Sequence, residues 1–219
     1  MITVHHLNNS RSQRVLWLLE ELELPYEIRH YQRNPVTNLA PPELMQVHPL
    51  GKSPVITDGD TTVAETGAII EYLVGRAGGR LRPAPDTPEH RRYTYWMHFA
   101  EGSLMSLMLI ALVLSRIPEA KDSPVRARIL ERLARMLEFV DGKLAGHEWF
   151  AGDAFTAADV MMSFPLTTMK RYLAFDLSPH ENIRVWVARI EARPAYAKAM
   201  AIAGPDATSV PGLRGGNTR

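Results

Sequence analysis

Residues 52–67 decide the fold of this chain: they read Lys52-Ser53-Pro54-Val55-Ile56, then Asp58-Gly59-Asp60, Thr61-Thr62-Val63 and Glu65-Thr66-Gly67. The pattern predicts a strand that starts at Lys52, a tight turn, a returning strand and a helix that starts at Glu65. Pro54 has no backbone N–H to give to a sheet. If the Ser53-Pro54 bond is cis, the Ser53 backbone faces outward, where a peptide-like ligand can pair with it. The helix start has free N–H groups that suit a carboxylate, so the segment predicts a cradle for a small acidic peptide.

The rest of the first 80 residues completes a small α/β domain. Ile2 to Leu7 has the composition of a strand, and apolar residues at helical spacing predict a helix over 12–23, which Pro25 ends. Tyr26 to Tyr31 reads as a second strand, and one short helix is expected from Pro42. The order β-α-β-α-β-β-α predicts helices that cover a mixed sheet.

Beyond this domain the strand signal disappears. Glycines and prolines predict a linker over 81–87, between the α/β domain at 1–80 and a helical domain at 88–203. The tail at 204–219 is rich in glycine and is expected to be flexible. Helical segments are predicted at 88–116, 123–144, from Ala157, 180–192 and 194–202.

Composition excludes several classes of function. The 219-residue chain has no cysteine, which excludes disulfides, thiolate metal sites and a protein thiol nucleophile, so any thiol must come from a ligand. The net charge of +1 argues against nucleic acid as a partner. The apolar stretch Leu104 to Leu114 is too short to span a membrane, and no secretory signal is visible, so we expect a cytoplasmic protein. None of the eight histidines forms a pair with metal-ligand spacing, so no metal site is expected.

Three motifs together resemble the cytosolic glutathione transferase family over residues 1 to 203. The segment His48-Pro49-Leu50-Gly51-Lys52-Ser53-Pro54-Val55 is similar to the family's cis-proline segment. Glu65-Thr66 is similar to the acidic and hydroxyl pair that holds the γ-glutamyl end of glutathione. Thr156 to Val160, with Asp159 at the third helical position, is similar to the capping box of the family's C-terminal domain.

The resemblance implies a thioredoxin-like N-terminal domain and an all-α C-terminal domain that contains the electrophile pocket. It implies an enzyme of detoxification that transfers the thiolate of glutathione to small hydrophobic electrophiles. Glutathione would be a co-substrate, no cofactor would be needed, and the protein would be a homodimer. The absence of cysteine fits, because glutathione itself brings the thiol.

In serine-type members the catalytic serine lies in the loop after the first strand, four residues before an arginine. Ser10 has this spacing to Arg14, so the resemblance implies that Ser10 activates the thiol. Ser12 and Asn9 stay open as alternatives, because a second hydroxyl or an amide can also donate to sulfur. A serine before a helix is also an ordinary cap, and the two roles are compatible.

The resemblance assigns the remaining contacts to glutathione. Thr66 and nearby amides would bind the γ-glutamyl carboxylate, and Glu65 would hold the α-ammonium group. Lys52 would pair with the glycine carboxylate. Ser53, before Pro54, would pair with the cysteinyl unit through its backbone, with little demand on its side chain.

Two other functions remain compatible with these residues. A glutathione-dependent peroxidase would use the same thiolate on a peroxide oxygen. A non-catalytic member of the fold would bind a ligand or partner without turnover, and the Asn8-Asn9-Ser10 loop, which departs from common patterns, keeps this alternative open.

Overall fold

The computed structural model describes residues 1–203, and the tail predicted at 204–219 lies outside the described residues. The described chain divides into two compact units. The first contains residues 1–87 together with the chain from Arg189, and the second contains residues 88–188.

The first unit is built on a mixed four-stranded sheet. Its strands, in the spatial order β2-β1-β3-β4, are β1 (Ile2–Leu7), β2 (Tyr26–Tyr31), β3 (Val55–Asp58) and β4 (Thr61–Ala64). β2 is parallel to β1, β3 is antiparallel to β1, and β4 is antiparallel to β3. Val4 lies opposite Ile28 on one side and Ile56 on the other, so the centre of β1 is paired on both edges.

The segment that decides the fold differs from its prediction in two boundaries. The Ser53-Pro54 bond is cis, as the sequence suggested, and β3 begins at Val55 rather than at Lys52. Pro54 has no N–H for the ladder, so regular pairing begins only after it. Helix α3 (Thr66–Arg76) begins one residue later than predicted, and Glu65 is its N-cap with a φ of 69°.

Helix α1 (Ser12–Leu22) is buried on nearly all sides. It contacts β1, α3 and a third helix, and its residues Leu16, Trp17 and Leu18 have no exposed surface. The helix ends one residue before its predicted limit, because Glu23 takes a left-handed conformation with a φ of 54°. A short helix α2 (Leu44–Val47) follows β2, close to the position predicted from Pro42.

The third helix that contacts α1 is the last helix of the described chain, Pro194–Ala203. We expected residues 194–202 to belong with the helical domain, whereas this helix packs on α1 in the first unit. The Arg193 guanidinium binds both oxygens of Glu21 at 2.6 and 2.7 Å, and the ring of Tyr196 packs edge-on against Trp17 with centroids 4.9 Å apart. These contacts join residues far apart in sequence, so periodicity could not predict them.

The second unit is helical throughout its regular structure. Its α-helices are α4 (Pro88–Phe99), α5 (Ser106–Ser115), α6 (Pro124–Leu144), α7 (Ala157–Leu166) and α8 (Glu181–Glu191), the last of which continues past Arg189 into the part of the chain assigned to the first unit. The helix against α1 is then α9 (Pro194–Ala203). Short 3-10 segments lie at Pro118–Ala120 and Thr168–Arg171.

The long helix predicted at 88–116 contains a π-helical segment. Residues Ala100–Met105 join α4 to α5 in this wider conformation. The Ser106 hydroxyl donates to the Glu101 carbonyl, five residues earlier, at 2.8 Å, which satisfies a carbonyl in the widened turn. The complete helical run Pro88–Ser115 is long and apolar enough, by length and composition alone, to cross a membrane. Core helices of soluble proteins can have the same length and composition, and Tyr93, Trp96 and Met108 are buried within the unit.

The predicted capping box at the start of α7 is present. The Thr156 side chain accepts from the Asp159 N–H, and the Asp159 carboxylate accepts from the Thr156 N–H at 3.0 Å. The same carboxylate also accepts from the Phe150 N–H at 3.0 Å and the Trp186 indole N–H at 2.9 Å. Asp159 therefore ties the start of α7 to the preceding loop and to α8.

Candidate functional site

The loop after β1 places Ser10 immediately before α1. Asn8 anchors this loop to the end of β2, because its side-chain oxygen accepts from the Arg33 N–H at 2.9 Å and its carbonyl accepts from Arg33 Nε at 3.2 Å. Asn9 is buried and has a φ of 53°, a conformation that asparagine tolerates better than most residues. The unusual pair of asparagines thus has a structural explanation.

Three polar side chains form a short buried chain of hydrogen bonds in this loop. Ser10 Oγ lies 2.7 Å from Ser12 Oγ, and Ser12 Oγ lies 2.7 Å from His6 Nδ1. Ser10 Oγ also accepts from the Ser12 N–H at 3.3 Å. Burial, with the nearby His30 as a second cause, lowers the pKa of His6 to about 4, so the His6 ring is neutral at pH 7.

Ser53 joins this chain from the cis-proline segment. Its hydroxyl donates to the His5 carbonyl at 2.9 Å, accepts from the Leu7 N–H at 3.3 Å and lies 3.3 Å from Ser10 Oγ. We expected little of the Ser53 side chain, whereas it connects the turn before Pro54 to the end of β1. The cis bond and the loop before α1 therefore meet at one place.

Thr66 reaches the same region through Arg14. The Arg14 guanidinium donates from Nη2 to Thr66 Oγ1 at 3.4 Å, and both residues are buried. Arg14 lies in the first turn of α1, and Thr66 is the first residue of α3. The spacing of Arg14 from Ser10, which the sequence offered only as a motif, therefore connects the two helix starts.

Lys52 and Glu65 flank these buried residues at the surface. Both are exposed, and Glu65 combines its positive φ with a position directly before α3. Among residues 1–203, neither side chain forms a hydrogen bond or an ion pair. Both charges are thus available to a ligand on the surface of the first unit.

The sequence pointed to all these positions except His6 and Arg33. The two histidines of β1 point to opposite faces, as the strand period requires: His5 Nδ1 lies 2.9 Å from Tyr31 Oη, whereas His6 faces the loop. His6 and Ser12 are six residues apart across a turn, a separation that no helix or strand periodicity connects. Only the folded chain brings them together.

Comparison with known proteins places this arrangement in a family. Residues 1–75 match the family model for the glutathione S-transferase N-terminal domain, and residues 104–194 match that for the C-terminal domain. The chain is 39% identical to glutathione S-transferase 3 of Schizosaccharomyces pombe, over 89% of this chain and 85% of that protein. It is 30% identical to the glutathione S-transferase GstB of Escherichia coli K12, over 92% of this chain and 99% of that protein.

A solved structure agrees with these matches. The crystal structure of a glutathione S-transferase from Actinobacillus pleuropneumoniae superimposes with a TM-score of 0.85 at 36% identity, and covers 94% of each chain. The chain belongs to the cytosolic glutathione transferase family. The predicted fold, a thioredoxin-like domain followed by a helical domain, is confirmed, and the relatives support the predicted glutathione transferase activity.

Proposed function

We propose that this protein conjugates glutathione to small apolar electrophiles and that the Ser10 hydroxyl stabilises the glutathione thiolate. The observation that carries the proposal is the meeting of Ser10, Ser12 and Ser53 in one hydrogen-bonded group where α1 begins. A hydroxyl donor in the positive field of a helix start favours an anion over its neutral acid. The sulfur of glutathione, placed beside Ser10, would be stabilised as an anion by the hydroxyl donor and by the field of the helix start.

The energy required is within reach of this arrangement. An ordinary thiol has a pKa of about 8.5, so only a few per cent is ionised at neutral pH. Lowering that pKa by two requires about 2.7 kcal/mol, which one or two charge-assisted hydrogen bonds can supply.

Exposure distinguishes Ser10 from Ser12. Ser10 keeps 5% of its surface accessible, whereas Ser12 has none and already bonds both Ser10 and His6. A sulfur that arrives from solvent can therefore reach Ser10 but not Ser12. Asn9 remains part of the proposed glutathione site, where its backbone helps to fix the conformation of the loop.

We place glutathione along the surface that connects the remaining residues. The backbone of Ser53, turned outward beside Pro54, pairs with the cysteinyl unit. Thr66 and the N–H groups at the start of α3 bind the γ-glutamyl carboxylate, and Glu65 binds the α-ammonium group. Lys52 pairs with the glycine carboxylate, and its lack of a partner within residues 1–203 supports this role.

The wider setting belongs to the same proposal. We propose a homodimer that acts in the cytoplasm, in detoxification, on apolar electrophiles. The second unit has exposed apolar side chains at Tyr95, Ile110, Val113 and Phe139, which support an association between copies. Light scattering after size-exclusion chromatography tests the dimer, and a mass of one 24.6 kDa chain would contradict it.

The test of Ser10 separates chemistry from binding. We expect Ser10→Ala to lower conjugation of glutathione to a generic aryl halide at least tenfold, with little change in the calorimetric Kd for glutathione. Ser115→Ala, a change of an exposed serine in the second unit, is the matched control and should leave both values unchanged.

Three other outcomes point to different conclusions. Unchanged turnover in Ser10→Ala removes Ser10 from the mechanism. Peroxide reduction without conjugation by the wild-type protein favours the peroxidase. Glutathione binding without either reaction favours a non-catalytic member of the fold.

A further inference from the structure

We propose that His6 is a positioning residue for the thiolate: a proton on its Nδ1 orients the Ser12 hydroxyl toward Ser10 and so frees the Ser10 proton for sulfur. This inference rests on the proposed role of Ser10 and extends it to a residue that does not touch glutathione. The residues involved are His6, Ser12 and Ser10, joined by two contacts of 2.7 Å each.

The tautomer of His6 decides in which direction the two hydrogen bonds run. The neutral ring has one N–H, on either Nδ1 or Nε2, and each serine has one O–H. If Nδ1 has no proton, it accepts the Ser12 proton, and Ser12 Oγ then accepts the proton of Ser10. If Nδ1 has the proton, it donates to Ser12, Ser12 donates to Ser10, and the Ser10 proton is free to point elsewhere.

Before the ligand binds, Ser53 Oγ is the acceptor available to the Ser10 hydroxyl. The one proton of Ser53 is already donated to the His5 carbonyl at 2.9 Å, so a hydrogen bond at the 3.3 Å contact with Ser10 requires Ser10 as its donor. Ser10 has this proton free only in the arrangement with a proton on His6 Nδ1. A bond of this length is weak and is easily exchanged for one to an anion. When a thiolate is bound, the Ser10 hydroxyl would therefore turn from Ser53 Oγ and donate to the sulfur.

We call the hydrogen-bonded series His6, Ser12 and Ser10 the relay. Burial limits the His6 ring of this relay to its two neutral tautomers and disfavours the doubly protonated form. The low pKa of His6, which results from burial and from His30 with its ring centroid 5.6 Å away, keeps the doubly protonated ring out of the neutral pH range. In a buried chain, hydrogen bonds that run in one direction strengthen each other. A thiolate at the Ser10 end therefore favours the Nδ1–H tautomer at the other end. The serine hydroxyls only rotate. In the shift of tautomer the Nε2–H bond of His6 breaks and an Nδ1–H bond forms, with one proton released to solvent and one taken up, and the thiol proton leaves to solvent.

The test measures the pKa of bound glutathione from the ultraviolet absorbance of its thiolate. We expect His6→Leu to raise this pKa by about one, with a similar rise in Ser12→Ala. The double variant His6→Leu with Ser12→Ala should show no further rise, because both changes interrupt one relay. In His6→Asn the amide N–H can lie near the position of Nδ1, so the thiol pKa of this variant should return most of the way to the wild-type value.

The neighbouring histidine is the matched control. His5 lies on the same strand and also bonds two side chains, Tyr31 and Thr57, but it faces away from the loop. His5→Leu should leave the thiol pKa unchanged although it removes as much buried polar surface. Equal rises in His5→Leu and His6→Leu would mean that both act through stability alone, and would overturn the relay.

A spectroscopic measurement tests the tautomer directly. In protein with ¹⁵N-labelled histidine, correlation spectra should show the His6 proton on Nδ1 when glutathione is bound. A proton on Nε2 alone in that complex overturns the inference. The two proposals also fail separately: if Ser10→Ala raises the thiol pKa and His6→Leu does not, only the relay is wrong, whereas no effect of Ser10→Ala contradicts the proposed function itself.

Discussion

Replacing Asp159 should reduce the stability of the second unit by an amount that the structure allows us to calculate. Its buried carboxylate accepts from the Thr156 hydroxyl at 3.2 Å, a donor that can rotate toward another acceptor. It also accepts from three N–H groups, those of Phe150, Thr156 and the Trp186 indole, all between 2.9 and 3.0 Å. In Asp159→Ala these three donors lose their acceptor, at about 2 kcal/mol each, or about 6 kcal/mol together.

Part of this loss is offset by the removal of a buried charge. Burial raises the pKa of Asp159 from 3.8 to about 6, which corresponds to about 3 kcal/mol that the ionised carboxylate costs at pH 7. The net destabilisation of Asp159→Ala at pH 7 is therefore about 3 kcal/mol. Urea unfolding followed by tryptophan fluorescence measures it, because Trp186 bonds this carboxylate.

Asp159→Asn makes the pH dependence visible. Because the folded pKa is raised, the stability that Asp159 contributes is fully present below pH 3.8 and is lost as the pH rises through about 6. Asparagine resembles the protonated acid and does not titrate. The stability of the wild-type protein relative to Asp159→Asn should thus fall by about 2 to 3 kcal/mol between about pH 4 and pH 7.

The control is Asp153→Ala, since that side chain is 93% exposed and should change stability by less than about 0.5 kcal/mol. Two results would refute the reasoning. One is an Asp159→Ala protein as stable as the control. The other is a wild-type protein that gains stability over Asp159→Asn as the pH rises, which would mean that the three donors outweigh the cost of burial.

Three further changes test other parts of the structure. Thr66→Val should weaken glutathione binding roughly fivefold, whereas Thr66→Ser should not, because only the hydroxyl is needed; calorimetry measures both, and equal loss in both would show that packing matters instead. Arg193→Ala should lower stability by about 1 to 2 kcal/mol, because it leaves the half-buried Glu21 without its two-bond partner; an unchanged urea midpoint would show that α9 is held by its apolar contacts. Gly152→Ala should cost about 1 to 3 kcal/mol, since Gly152 has a φ of 144° and an added Cβ would lie 3.3 Å from Arg92 Nη2; a melting temperature equal to that of wild type would contradict this.

The local sequence was enough for most of the elements. Apolar periodicity predicted α1, α6 and the strands of the sheet within a few residues, because each element buries one face and the spacing of apolar residues records which face. The capping box at Thr156 was also predicted, because it depends on residues within a few positions of one another. The cis bond at Ser53-Pro54 entered only as a condition and through the family resemblance, and the structure shows it. The candidate site residues stay a prediction, and the structure brings Ser10, Ser12 and Ser53 together.

The tertiary structure decided how those parts are connected. The bond from Ser12 to His6, the ties from Ser53 to β1 and the docking of α9 through Arg193 all join groups whose separation along the chain follows no periodicity. Such contacts depend on where the backbone of another element passes, and a linear pattern does not contain that information. By itself the sequence determined the family and the order of the elements, and it predicted candidate residues for binding a thiol. Only folding determined which of those residues form hydrogen bonds with one another, because a hydrogen bond requires its two atoms to lie within about 3 Å of each other.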